Sequence, residues 1–216
     1  MQPLNRRIHA FNVGLDKHVL RPVARPFKGG GDGGGEPGVL VVAGNVSANL
    51  SLPGKVVNHL LQGRPGPALR NSLRFAVNTT LGLGGIMDPA GQEFALAEQD
   101  TDFGETLHVW GVPEGAYIEL PLLGPSTLRD AAGKVVDVAL DPLSPHLNPD
   151  QKRGKLALKV LSKAGKRARF GDTVDSILHD SADSYAQARL MYLQHRRHEL
   201  GQDSQEIDPY DDPYAP

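Results

Sequence analysis

The sequence predicts a mainly α fold, a single domain of amphipathic helices joined by turns rich in proline and glycine. Apolar residues recur at steps of three and four in most segments, which is the period of one helix face. Many of the 17 prolines and 25 glycines fall at the ends of those segments. No alternation of strands and helices, as in a parallel sheet, is evident. We therefore expect helices packed against helices.

Composition narrows the classes of function. The 216 residues carry a formal net charge of -2, which does not suit a protein that coats nucleic acid. The chain has no cysteine, so disulfides and thiolate metal sites are excluded. The longest unbroken apolar run, Val39 to Ala43, is far shorter than the roughly 20 residues of a spanning helix. We expect no nucleic-acid partner, no cofactor and no bound metal.

The N-terminal segment predicts a helix followed by a linker. Between Leu4 and Leu20 the apolar residues are spaced as on one helix face, and Pro22 and Pro26 are predicted to end that helix. Residues 29–38, GGGDGGGEPG, match a dinucleotide-binding fingerprint only because any glycine run does. No strand precedes them, so they predict a flexible linker.

Three helices are predicted next. The first begins at Pro53 and is closed by Gly63, and the second runs from Pro67 to Asn78. In the second, Leu69, Leu73, Ala76 and Val77 share one face. Asp88 before Pro89 predicts the cap and first residue of a brief third helix.

The following stretch alternates apolar residues with turn residues. Residues 99–125 predict an extended loop with one short strand pair. Thr127 and Asp130 have the spacing of a capping box. The helix that they begin is predicted to bury its apolar side chains, which are Leu128, Ala132, Val135, Val136 and Ala139.

The C-terminal third predicts two long helices and a tail. The first begins near Asn148 and carries a basic residue every four positions, at Lys155, Lys159, Lys163 and Arg167. The second begins at Ser184. Residues 201–216 are acidic and rich in proline, which predicts disorder.

Catalytic and metal motifs receive little support. His195 and His198 stand three apart, but no HExxH pattern accompanies them. Ser126 lacks the closing glycine of a nucleophile elbow. Gly82, Gly84 and Gly85 lack the lysine of a P-loop and predict either a helix stop or a close backbone approach. We expect no enzyme.

The amino-acid sequence nevertheless resembles that of one family, the MlaA (VacJ) outer-membrane lipoproteins. The match extends over residues 4–12, 20–24, 58–63, 141–144 and 180–196. Its densest part contains Arg74, Phe75, Asn78, Thr79, Thr80, Gly82, Gly84, Gly85, Phe103, Gly104, Gly111, Tyr117, Leu120, Pro121, Gly124, Leu128, Arg129 and Asp130. The resemblance covers residues 1–200, apart from the departure at 29–38.

The resemblance implies a function and a location. Family members remove mislocalised phospholipid from the outer leaflet of the outer membrane and pass it to a periplasmic carrier similar to MlaC. It implies a ring of helices in the inner leaflet with a central channel, a periplasmic C-terminal helix and a trimeric porin as partner. Family members begin with a signal peptide and a lipidated cysteine, neither of which the first residues of this chain show.

Two sets of residues become candidates on this basis. The polar-to-glycine step is a candidate wall of the lipid passage, comprising Asn78, Thr79, Thr80, Gly82, Gly84 and Gly85. The basic face, comprising Lys155, Lys159, Lys163 and Arg167, is a candidate contact for anionic headgroups. The alternative is a structural or interaction protein that lies on the membrane by amphipathic helices and moves no lipid.

Overall fold

The computed structural model describes residues 2–24 and 38–202, and most of them are helical, as predicted. The first half contains α1 (Gln2–Leu15), α2 (Arg21–Ala24), α3 (Gly38–Leu61), α4 (Pro65–Thr80), α5 (Pro89–Gln92) and α6 (Phe103–Val109). The second half contains β1 (Tyr117–Leu120), β2 (Gly124–Thr127), α7 (Leu128–Ala139), α8 (Pro149–Arg169), α9 (Gly171–Leu178) and α10 (Ser184–Glu199). Within these ranges, no helix is both long and apolar enough to cross a bilayer.

The prediction that Pro22 ends the first helix is wrong. A π-helical turn, Asp16–Leu20, joins α1 to α2, and Pro22 lies inside α2. The Arg21 amide donates to the Asp16 carbonyl, five residues back. A proline has no amide to donate and crowds the carbonyl four residues before it, and the wider π turn relieves that crowding. Pro26 lies outside the described residues.

Helix α3 is longer than predicted. It begins at Gly38, fifteen residues before the expected start at Pro53, and continues through that proline. It packs against both α4 and α8, with Leu40, Ala43 and Leu52 buried. This burial offsets the hydrogen bond that Pro53 removes. Apart from Gly38, the predicted linker at 29–38 lies outside the described residues.

The region before α7 contains a helix that the sequence did not reveal. Helices α4 and α5 agree with the prediction, and the Asp88 carboxylate caps α5 by accepting from the Gly91 amide. Helix α6 lies within the stretch predicted to be extended. Its cap is Asp102, whose carboxylate accepts from the Glu105 amide, three residues on.

The predicted strand pair is present and leads directly into α7. Strands β1 and β2 pair antiparallel, with Tyr117 opposite Thr127 and Leu120 opposite Gly124. Thr127 ends β2 and also caps α7, because its hydroxyl accepts from the Asp130 amide. Helix α7 then packs on α6, where a side chain on Gly133 would collide with the backbone of Gly104.

The C-terminal helices follow in order. A capping box formed by Asn148 and Gln151 begins α8, and α10 begins at Ser184, both as predicted. The short helix α9 between them was not predicted. The structure describes Gly201 and Gln202, but the rest of the predicted disordered tail lies outside the described residues.

Candidate functional site

Helix α7 turns its apolar side chains outward, the reverse of the predicted burial. Val135 and Val138 are 70% and 74% exposed, and Leu128 is also exposed. Ala132 and Ala139 are exposed as well, and Val136 is half-buried. The buried residues are instead Arg129, Asp130 and Gly133. The prediction assumed water outside the protein, whereas this arrangement suits an apolar exterior.

Other helices are arranged in the same way. In α1 the buried residues are Asn5 and His9, and in α4 they include Asn71, Arg74 and Asn78. The exposed apolar side chains on α1, α4 and α8 are Leu4, Phe11, Leu69, Leu73, Leu156 and Val160. Among the described residues, eighteen polar or charged side chains are buried against ten apolar ones. So much exposed apolar surface marks contact with a membrane or with another protein.

The end of α4 is fixed by a buried network. The Arg74 guanidinium donates to the Asp88 carboxylate at 2.6 Å and to the Leu96 carbonyl at 2.5 Å. The Asn78 amide donates to the same carboxylate at 2.8 Å, and its oxygen accepts from the Ala90 amide. Burial raises the pKa of Asp88, but these donors outweigh it and lower the pKa below its ordinary value. Asn78 therefore has a structural role.

The remaining passage candidates fall into two groups. Gly82 and Gly85 are buried, and an added side-chain carbon would lie 2.6 Å from the Asn78 and Met87 carbonyl oxygens or from the Asn49 side chain, respectively. Thr79, Thr80 and Gly84 are exposed. Gly84 has a φ of 76° and open space where a side chain would point.

The loop after α4 has an apolar tip. Residues 81–87 form turns whose exposed apolar side chains are Leu81, Leu83, Ile86 and Met87. The Asn49 amide holds the loop against α3 by donating to the Thr79 hydroxyl and the Gly84 carbonyl. Of the residues predicted to line the lipid passage, only Thr79, Thr80 and Gly84 are therefore accessible to a ligand.

The basic face of α8 is also divided. Lys155 is paired with Asp141, and Arg167 is buried against Asp16 at 2.8 Å and Asp175 at 2.5 Å. Arg167 therefore ties α8 to the π-helical turn after α1 and to α9, and it is not placed to meet a headgroup. Lys163 donates to the Leu122 carbonyl at 3.0 Å, while Lys159 is exposed.

A polar interior connects α3, α6 and α7. The Asn58 amide donates to the Asp137 carboxylate at 2.8 Å, and the Phe103 backbone amide donates to it as well. The Thr106 hydroxyl links Asn58 to Gln62. Burial raises the pKa of Asp137 despite these donors. Most of these polar groups are paired with one another, although the Gln62 side-chain oxygen is buried and accepts no hydrogen bond.

A second network joins α6, α7 and α10. Arg196 contacts Asp102 at 2.6 Å and Asp130 at 3.3 Å, and the Tyr192 hydroxyl donates to Asp130 at 2.6 Å. Burial raises the pKa of Asp130. Tyr192 and Arg196 have the larger opposite effect, so the pKa lies below its ordinary value. These residues were not predicted as a site. The sequence signal was the spacing of Asp102 and Glu105, which marks the missed helix.

The structure adds no support for a metal site or a catalytic site at the residues considered from the sequence or at the one cluster of potential metal ligands among the described residues. Asp16, Asp175 and His179 bring ligand atoms within 4.8 Å of one another, but the Arg167 guanidinium already binds both carboxylates. His195 contacts Glu199 at the surface. Ser126 is fully buried and accepts from Lys134 at 2.9 Å, so a substrate has no access to it.

Comparison with known proteins gives a consistent result. The family model described as MlaA lipoprotein matches residues 1–199. The "Intermembrane phospholipid transport system lipoprotein MlaA" of Shigella flexneri is 34% identical over 218 residues, covering 100% of this chain and 82% of the relative. The protein of the same name from Escherichia coli is 33% identical over the same shares.

A solved structure is similar over nearly the whole chain. It comes from a study of the structural basis for maintenance of bacterial outer membrane lipid asymmetry. The TM-score is 0.73 at 33% identity, and the similarity covers 92% of this chain and 97% of the other. The match confirms the helical fold.

Proposed function

The chain belongs to the MlaA lipoprotein family, and from this premise we propose that it transports phospholipid between membranes. In this proposal it removes mislocalised phospholipid from the outer leaflet of the outer membrane and passes it to a periplasmic carrier. This removal would maintain the difference in lipid composition between the two leaflets of the outer membrane. The names of the relatives and the similar solved structure support this assignment.

The observation that carries the proposal is the inverted burial of the helices. Val135 and Val138 face outward while Arg129 and Asp130 face inward. An exterior of this kind is stable among lipid tails, and a polar interior then offers a headgroup partners that the tails cannot supply. The protein would lie in the inner leaflet without spanning it.

The proposed mechanism is passive and involves no covalent step. A lipid headgroup moves along polar side chains of the interior while its tails remain against apolar surface, because an unpaired charge in an apolar medium is costly. The exposed part of the step after α4, namely Thr79, Thr80 and Gly84, would border that path. Lys159 and Lys163 would meet the phosphate.

The proposal extends to partners and organisation. Residues 1–200 form the lipid-handling domain, and residues 201–216 are a tail that this activity does not need. A trimeric porin would hold the domain in the outer membrane, and a carrier similar to MlaC would collect the lipid on the periplasmic side. These partners are inferred from the family.

Lipid bound to the purified protein separates this proposal from a purely structural role on the membrane. We expect the protein extracted in several detergents to carry glycerophospholipid, identified by mass spectrometry. A protein that only rests on the membrane would exchange its boundary lipid for detergent. Detergent alone in every preparation would therefore contradict the proposal, and a stable lipid complement would contradict the structural alternative.

A further inference from the structure

A serine, a histidine and a glutamate form a hydrogen-bonded chain where α1, β1 and α10 meet. The Nδ1 atom of His9 lies 3.2 Å from the Oε1 atom of Glu119, and its Nε2 atom lies 3.1 Å from the Oγ atom of Ser184. A catalytic triad has the same contacts between carboxylate, imidazole and hydroxyl, and it is recognised by geometry rather than by sequence position. His9 is 110 and 175 positions away from its two partners. No local motif could therefore contain this group, and the expectation that the chain is not an enzyme was based on such motifs.

The partners of Glu119 determine which nitrogen of His9 carries a hydrogen. The Tyr117 hydroxyl donates to one carboxylate oxygen and the Asn12 amide donates to the other. Burial and the neighbouring carboxylate raise the pKa of Tyr117, so this hydroxyl keeps its proton. An ionised carboxylate can only accept, and the Nδ1 atom of His9 therefore donates to it. The Nε2 atom is then free to accept the proton of Ser184.

Burial decreases along this chain from the carboxylate to the hydroxyl. The Glu119 side chain is 1% exposed and the His9 side chain is 7% exposed, whereas Ser184 is half-buried and follows the exposed Asp183. The Tyr185 ring packs edge-to-face against the imidazole, with 5.7 Å between the ring centroids, which restricts rotation of the imidazole. The acid and the base are thus shielded and oriented, and the serine is the member that solvent reaches.

The start of α10 offers a donor for the negative charge that develops on a substrate. Ser184 is the first residue of this 16-residue helix, and among the described residues its backbone amide has no acceptor. The helix dipole adds partial positive charge at the same end. The adjacent Asp183 carboxylate is paired with Arg6 at 2.8 Å and accepts from the Ala186 amide. The amide of the nucleophilic serine is a known donor to the oxyanion in acyl transfer.

We propose that Ser184, His9 and Glu119 form a serine esterase site, an activity separate from phospholipid transport. The Oγ atom of Ser184 attacks the carbonyl carbon of a carboxylic ester while its proton moves to the Nε2 atom of His9. The bond from that carbon to the alcohol oxygen breaks, and the alcohol leaves with the proton. Water then attacks the acyl group in the same way, which releases the carboxylic acid and restores the serine. Glu119 positions the imidazole and stabilises its positive charge.

The arrangement suits an ester better than an amide. A single backbone donor at Ser184 gives limited stabilisation of the oxyanion. An alcohol leaves from the tetrahedral intermediate more readily than an amine does, so an ester needs less of this stabilisation. The class of substrate is therefore an acyl ester.

Covalent labelling of the full chain in detergent tests the proposal. A fluorophosphonate probe reacts with serine hydroxyls that a base activates, and mass spectrometry locates the adduct. We expect one adduct, on Ser184, and hydrolysis of p-nitrophenyl butyrate that labelling abolishes. Both should be absent from Ser184→Ala and about a hundredfold slower in His9→Gln. Ser176→Ala, which removes an exposed serine of α9, is the matched control and should change neither.

Glu119→Gln separates a catalytic arrangement from hydrogen bonds that only join the three elements. Glutamine keeps the size of the side chain but offers the imidazole a neutral partner. We expect kcat for the ester to fall about a hundredfold while KM stays near that of the wild type. A purely structural role would instead change the folded fraction, which circular dichroism measures, and leave the kcat of each folded molecule unchanged.

The other outcomes overturn the proposal. Folded wild-type protein without an adduct on Ser184 does so, and so does hydrolysis that persists in Ser184→Ala. Labelling of folded His9→Gln at the wild-type rate does so as well, because the histidine would then not activate the serine. If His9→Gln fails to fold, Ser184→Ala and Glu119→Gln decide. Phospholipid transfer by Ser184→Ala should equal that of the wild type, so failure of the esterase proposal leaves the proposed transport standing.

Discussion

At the scale of single residues, glycine and buried charge have separable roles. At Gly82 and Gly85 a side chain would collide with neighbouring atoms, and Gly85 also has a φ of 97°. Gly84 has open space beside it but a φ of 76°, which favours glycine. Arg167 stabilises the fold through ion pairs with the carboxylates of Asp16 and Asp175, and it is buried away from any lipid. These differences yield two predictions.

Gly84→Asn should preserve folding while it reduces lipid transfer per folded molecule. Asparagine tolerates positive φ better than other side chains, and the space beside Gly84 is open. If this space borders the passage, the added bulk obstructs it. Transfer is measured against the folded fraction given by circular dichroism. Gly63→Asn is the control, because Gly63 also has positive φ and open space but lies at the end of α3. Equal transfer by the two variants would remove Gly84 from the passage.

Asp16→Asn should lower stability at neutral pH and make it less sensitive to acid. Burial raises the pKa of Asp16, but hydrogen bonds from Arg167 and His179 outweigh it, so the folded-state pKa lies below the ordinary value of 3.8. Its stabilising contribution is therefore complete above that value and is lost as the pH falls through the folded pKa. Removing one partner of a buried pair costs about 3 kcal/mol.

Chemical denaturation in detergent between pH 7 and pH 2 measures this effect. The exposed pair of Asp150 and Arg153 provides the control, because Asp150→Asn should leave the profile unchanged. An Asp16→Asn profile that parallels the wild type down to pH 2 would show that the pair does not contribute.

At the scale of elements, the main finding is that several helices present their apolar face outward. Helix α7 shows this most clearly, because its charged residues Arg129 and Asp130 are buried while Val135 and Val138 are exposed. If lipid tails cover that face, a charge placed on it must be moved into an apolar medium, which is unfavourable.

Val138→Asp should weaken binding to phospholipid vesicles at least tenfold while helix content is unchanged. The side chain is exposed, so the substitution removes no internal packing. Vesicle flotation measures the bound fraction. Gln187→Asp, at an exposed position of α10, adds the same charge and should bind as the wild type does. Equal loss by both variants would point to net charge rather than to this face.

Some helices could be predicted from the sequence and others could not. Helix period and caps correctly predicted α4, α5, α7, α8 and α10, because local hydrogen bonds at Asp88, Thr127 and Asn148 determine where the helices α5, α7 and α8 start. The continuous α3 could not be predicted, since only contacts with α4 and α8 keep Pro53 within a helix.

The faces could be recognised from the sequence, but their direction could not. Periodicity shows that Leu128 and Val135 share a side, and it is the same whether that side meets a core or a membrane. For the same reason, Arg167 has the spacing of a surface residue although it is buried. Partners such as Asp16, 151 positions away in sequence, become evident only in three dimensions.

At the scale of the whole molecule, apolar side chains are exposed on several helices, although no helix of the described ranges could cross a bilayer. Among the described residues, the buried side chains are more often polar or charged than apolar. Family membership and the similar solved structure place this arrangement among lipid-transport lipoproteins. The central claim is that the interior conducts phospholipid.

Transfer of labelled phospholipid from vesicles to a purified periplasmic lipid carrier tests that claim most directly. The protein is reconstituted into the donor vesicles, the carrier is separated from them, and the label that it has gained is counted. We predict a rate proportional to the amount of reconstituted protein and well above that of vesicles without it. Full association of folded protein with the vesicles, accompanied by no gain over the protein-free rate, would contradict the account.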